Sequence, residues 1–83
     1  MKYIAFVNVL PLDEILDPQG KTTEQSLHQL GYENLSEIRV GKRIRLEVTA
    51  ESRANAQEVV EAAARRLLSN PVIEQFEIEL VEA

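Results

Sequence analysis

Apolar side chains alternate through several stretches of the chain and recur at helical spacing in others. Lys2 to Leu10 is predicted as a strand, with Tyr3, Ala5, Val7 and Val9 on one face and Ile4, Phe6 and Leu10 on the other. A strand apolar on both faces belongs in the centre of a sheet, with helices on one side and something else on the other, for which a partner chain is the natural candidate. Pro11 ends the pairing, and Leu12-Asp13-Glu14-Ile15 forms a short acidic connection.

The first helix is marked at both ends. Asp17 can accept hydrogen bonds from the first free N–H groups, and Pro18 at the first helical position has a preset φ and no N–H to leave unpaired. The helix runs to Leu30, where Gly31 can take the left-handed conformation and bring Tyr32 back over Leu27 in a Schellman closure. Its apolar stripe, Leu27 and Leu30, is narrow.

Two strands are predicted next, Leu35 to Val40 and Arg43 to Thr49. They form a hairpin whose three-residue loop Gly41-Lys42-Arg43 sets Val40 opposite Ile44, Ile38 opposite Leu46 and Ser36 opposite Val48. A second helix carries Ala56, Val59, Val60, Ala63 and Leu67 at i, i+3, i+4, i+7 and i+11. Ser52 or Asn55 starts it, and Asn55 with Glu58 has capping-box spacing. Burying Val59, Val60 and Leu67 contributes about 1.5–3 kcal/mol each before entropy, so this helix is expected to be the main lid of the core. Arg65 and Arg66 suit its C-terminal dipole, Asn70-Pro71 stops it, and Val72 to Val81 follows as an edge strand. Strand, helix, strand, strand, helix, strand predicts an α+β, ferredoxin-like βαββαβ domain over residues 1–83. Its four-stranded antiparallel sheet has the first strand central and two helices on one face.

Composition narrows the function more than the fold. A chain of 83 residues is one small domain, marginal without a staple or partner, so self-association to a dimer or tetramer is expected. The absence of cysteine removes disulfides, thiolate metal sites and thiol catalysis, and fits a cytoplasmic location. No apolar run approaches a membrane span, and the first strand lacks a signal-peptide cleavage site, so no membrane partner is expected. A net charge of −5 argues against nucleic acid.

The chemistry-bearing residues do not assemble into a catalytic set. His28 is the only histidine and has no second ligand for a metal. Asp13, Glu14 and Asp17 read as solvated or capping carboxylates rather than an acid/base pair. Gly41-Lys42 lacks the upstream glycine and following hydroxyl of a phosphate loop. Arg39, Lys42, Arg43 and Arg45 form a basic cluster that Glu37 and Glu47 can neutralise, so a solvated face is preferred to an anion site. Clustered aromatics for RNA, cysteines for metal delivery and an arginine anion loop for phosphatase chemistry are all missing.

Three blocks carry a resemblance: LDPQGK with LHQLGY, then IRVGKRIRL, then LLSNPVIEQFEIEL. Their order and spacing resemble the PurS family, the small subunit of phosphoribosylformylglycinamidine synthase, over nearly the whole chain. The resemblance implies a non-catalytic adaptor in purine biosynthesis, partnered by a large synthetase subunit, which uses ATP and Mg, and by a glutaminase subunit that supplies ammonia. It implies no cofactor bound by this chain. It picks out Asp17, Pro18, Gln19, Gly20, Arg39, Gly41, Lys42, Asn70 and Pro71 as family-motif and subunit-contact residues. In the loop LPLDEI, where the family often carries lysine, this sequence has Asp13 and Glu14. The alternative reading is a regulatory module of the same fold that binds a small molecule.

Overall fold

The first strand, β1 (Lys2–Pro11), is the axis of the molecule, as its two apolar faces require. The computed structural model describes residues 1–83. It sets β1 between β2 (Lys42–Thr49) and β3 (Glu74–Glu82), antiparallel to both, in the order β2-β1-β3. Register places Ala5 opposite Leu46 and Leu80, and Val7 opposite Ile44 and Ile78, so one face of all three strands is apolar. Helix α2 (Arg53–Ala63) covers that face, and Tyr3, Ala5, Val7, Val9, Val48, Ala56, Val60, Ala64 and Leu80 meet in the core.

The sheet has three strands, not the four expected. Leu35 to Val40 is irregular and pairs with no strand, so the predicted hairpin and its Val40–Ile44 register do not form. Glu37 has a φ of 58°, which breaks an extended run. The amides of Ile38 and Val40 are taken by side chains of the first helix instead. The expected register also carried its own penalty, because it set Arg39 opposite Arg45 and Glu37 opposite Glu47, and like charges directly across a ladder are unfavourable.

Helix α1 (Pro18–Gln29) does not lie beside α2. It contributes nothing to the core, and its only buried residue is Gly20. Together with residues 12–17 and 30–41 it forms an arm beyond the end of the sheet, which stretches the molecule to 51 × 26 × 14 Å. The predicted caps are in place. Asp17 accepts from the Gly20 N–H at 3.0 Å. Gly31 has a φ of 101°, and the Gly31 and Tyr32 amides donate to the carbonyls of His28 and Leu27 at 3.1 and 2.9 Å. A Cβ at Gly31 would meet nothing within 4 Å, so Gly31→Ala carries a pure backbone cost. We expect about 1 kcal/mol of lost stability, read by denaturant melting; an unchanged midpoint would show that the closure is dispensable.

In α2 the sequence left two starts open, and the structure uses Ser52, whose hydroxyl accepts from the Asn55 N–H at 3.1 Å. The Asn55–Glu58 box does not form; Asn55 instead accepts from Glu51 N–H. The apolar stripe is also rotated from the expected one. Ala56, Val60, Ala64 and Leu68 face the core, whereas Val59 is 48% exposed and Leu67 84%. Positions four apart drift around an α-helix, but residues Ala64–Leu68 widen into a π turn, closed by Ser69 N–H on the Ala64 carbonyl at 2.9 Å. The extra residue returns Leu68 to the core and turns Leu67 outward.

Past this turn, Asn70 and Glu74 clasp each other and open β3. Both ends of the chain are tied down at the end of the sheet opposite the arm: Ala83 N–H donates to the Lys2 carbonyl at 3.1 Å, and the Met1 ammonium to that of Ala50 at 2.9 Å.

Candidate functional site

Three of the family-motif residues, Asp17, Gly20 and Arg39, converge in the arm, and polar side chains hold it together where a core would otherwise do so. Asp17 bridges two segments, with one carboxylate oxygen on the Gly20 N–H and the other on the Val40 N–H at 2.8 Å. Glu24 accepts from Ile38 N–H at 3.4 Å, and His28 Nε2 lies 2.6 Å from the Leu35 carbonyl. Asp17, Glu24 and His28 thus form one face of α1 along which residues 35–40 run as a strap. Gly20 lets the strap come close, since a Cβ there would run into the Ile38 carbonyl and sit 2.7 Å from Asp17 Oδ2. Arg39 reaches back to the carbonyls of Ile15 and Asp13 and so fixes the acidic connection to the strap.

The hydrogen bond from Val40, then that from Gly20, and the nearby Arg39 charge hold the Asp17 carboxyl below the ordinary value of 3.8. A carboxyl whose folded pKa is depressed stabilises the fold fully above its unfolded pKa, and the contribution is lost as pH falls through the folded value. Exchange of the Val40 amide is therefore expected to be insensitive to pH above about 5, after correction for intrinsic rates, and to lose protection below about 4. Asp17→Asn should remove that dependence.

The remaining motif residues are dispersed. Pro18 and Gln19 are exposed on the first turn of α1. Gly41 passes the end of β1 so closely that a Cβ would strike the Val9 carbonyl, and Lys42 begins β2 opposite Val9. Asn70 organises its corner by accepting from Val72 N–H at 3.1 Å, beside exposed Pro71. The basic cluster is drawn apart as well. Arg39 serves the arm, while Arg43 binds Glu79 at 2.6 Å, with Asn8 bonded to both, and stacks 4.1 Å from the Phe6 ring. Those bonds from Arg43 and Asn8 hold the Glu79 carboxyl below its usual range. A groove of about 580 Å³ lies at the root of the arm, among Asn8, Leu10, Gly41, Arg43 and Phe76. No group of three histidine, aspartate or glutamate side chains gathers to hold a metal, and no helix is long and apolar enough to cross a membrane.

Sequence reasoning missed Glu24 and His28 as strap holders. Their spacing of seven and eleven from Asp17 puts all three on one helical face, and that was the available signal.

The profile of the family described as PurS, phosphoribosylformylglycinamidine (FGAM) synthase, matches residues 4–82. The chain belongs to the PurS family. The PurS subunit of Thermotoga maritima is 38% identical over 72 residues, 87% of this chain and 88% of that one. The PurS subunit of Mycobacterium leprae is 39% identical over 74 residues, 89% and 90% of the two chains. Among solved structures, a chain of PurLQS from T. maritima superposes with a TM-score of 0.89 at 33% identity, covering 98% of this chain and 99% of that chain. PurS of Methanocaldococcus jannaschii, described as one of the subunits of formylglycinamide ribonucleotide amidotransferase in the purine biosynthetic pathway, superposes at 0.85 with 32% identity over 98% of both. These PurS structures share the two-helix, three-stranded antiparallel architecture, so the outlying arm sits within a fold common to the family.

Proposed function

We propose that this chain is the non-catalytic PurS subunit of phosphoribosylformylglycinamidine synthase, joining a large synthetase subunit to a glutaminase subunit and associating with itself. The full-length superposition on a chain of a PurLQS assembly carries this reading. The chain's own chemistry agrees with it. Asp17, Glu24 and His28 are spent on the strap, Arg39 on backbone carbonyls and Arg43 on a surface carboxylate. ATP and Mg belong in this scheme to the large subunit, with no cofactor on this chain, and the complex works in the cytoplasm.

The physical case for such a subunit rests on ammonia. In water at neutral pH ammonia is mostly protonated, and ammonium has no lone pair with which to attack an activated amide carbon. A subunit that holds glutaminase and synthetase together raises their effective concentration and favours enclosed transfer without supplying a reacting group. The exposed motif residues Pro18, Gln19, Lys42 and Pro71 are the positions we assign to subunit contact. Asp17, Gly20, Arg39, Gly41 and Asn70 shape the surfaces that present them.

Co-purification tests this: the tagged chain is expected to retain both larger subunits in the presence of glutamine and nucleotide. Retention of neither would remove the adaptor role. Thermal stabilisation of the free chain by a nucleotide or amino acid at its groove would instead support a regulatory module.

A further inference from the structure

The outer edge of β3 pairs with no strand, and its register with β1 decides which backbone groups are left over. Ala83 N–H donates to the Lys2 carbonyl, and the Ile73 carbonyl accepts from Leu12 N–H, so odd-numbered residues turn their backbone groups toward β1. In an antiparallel ladder the alternate residues turn theirs away. Phe76, Ile78 and Leu80 therefore line the outer edge with their N–H and C=O groups, and their side chains pack on the face that α2 covers. An edge strand of 9 residues is a ready template for another strand.

One of these edge groups is already occupied. Arg53 reaches down from the start of α2 and donates to the Leu80 carbonyl at 2.5 Å. For its own helix the residue is badly placed. It is the first residue of α2, at the positive end of the helix dipole, where a cation is unfavourable, and no acid in the first turn offsets it. Arg53 is exposed and makes no ion pair, so its hydrogen bonding goes to that carbonyl.

The register that would best lengthen this sheet brings in β3 of another copy, antiparallel and centred on Ile78. It sets Ile78 opposite Ile78 and Phe76 opposite Leu80, apolar on apolar, and it needs both Leu80 carbonyls as acceptors for Phe76 N–H. Arg53 holds each of them, and its guanidinium stands where the incoming N–H would lie. On the other face the same register sets Glu77 opposite Glu79, a like-charge pair that adds to the barrier.

We infer that Arg53 caps the sheet: by holding the Leu80 carbonyl it prevents two copies from joining their sheets edge to edge through β3. The cap acts on the chain alone, with or without the larger subunits.

Arg53→Ala tests it, because the change removes the donor and its bulk while relieving the unfavourable charge at the start of α2, so the helix is retained. Sedimentation of this variant is expected to show species larger than those of the parent. They should form at a concentration about tenfold below any that the parent needs, since each joint regains two ladder hydrogen bonds. The Ile78 amide, free at the edge, should gain protection from exchange as concentration rises, while that of Val7 stays constant. Arg53→Lys keeps a donor and should behave as the parent does. Glu77→Lys, at an exposed position, turns the repulsion with Glu79 into attraction. Alone it should change nothing, and combined with Arg53→Ala it should strengthen the joining. Parent-like sedimentation and Ile78 exchange in both Arg53→Ala and the double variant would overturn the cap. A lower melting midpoint without larger species would also overturn it, by reducing Arg53 to a staple between α2 and β3. Joining by Glu77→Lys alone would overturn it too, since charge rather than Arg53 would then be keeping the edges apart.

Discussion

Omitting this chain from a reconstituted synthase is expected to abolish glutamine-dependent product formation while sparing most of the turnover driven by high external ammonia. Glutaminase and synthetase free in solution deliver ammonia to bulk water, where it is diluted and protonated before it reaches the second site. Tethering two partners commonly raises effective concentration by on the order of 100-fold or more, and a loss of that order is expected with glutamine. External ammonia supplies the nucleophile without a glutaminase, so that reaction has no need of the tether. The measurement compares the two nitrogen sources with and without this chain, at matched concentrations of the larger subunits. Full-rate glutamine turnover by those two alone would defeat the adaptor reading.

Gly20→Ala should free the strap from α1. The added carbon would occupy the place of the Ile38 carbonyl and crowd Asp17 Oδ2 at 2.7 Å, so the strap must lift from α1. Overpacking of this kind costs about 1–3 kcal/mol, and here it also frees a helix with no other support. Protection of the Ile38 and Val40 amides should collapse while that of Val7, at the centre of β1, stays. Assembly with the larger subunits should weaken in parallel. Unchanged exchange at Val40 would mean that the strap tolerates displacement and that the glycine serves another purpose. Gly31→Ala is the useful contrast, because open space surrounds that site and only its φ of 101° is disturbed.

The sequence was most legible where a local rule had no competitor. Two apolar faces made β1 central, Asp17-Pro18 opened α1, and Gly31-Tyr32 closed it, and all three features stand in the structure. It was least legible at Leu35 to Val40, where alternation suggested a strand. Helix carboxylates took the amides of that segment, and its strand register would have stacked like charges. In α2 the α-helical period was applied through a turn that is not α-helical, which exchanged Leu67 for Leu68 in the core. The candidate motif residues were visible as a pattern, but their division into strap holders and exposed surface was not. That division depends on where α1 lies, which no spacing along the chain encodes.

The joining of the chain's two ends beside each other has an architectural consequence. Because Ala83 bonds to Lys2 and the Met1 ammonium to Ala50, both termini emerge at the end of the sheet remote from the arm. A polypeptide attached at either end would project away from the surfaces assigned to assembly. Two copies could be strung in tandem, or one copy welded to a larger enzyme, without occluding the arm. The same geometry would admit a circular permutant, its old ends bridged by a short linker and its new ones opened in the turn after Tyr32.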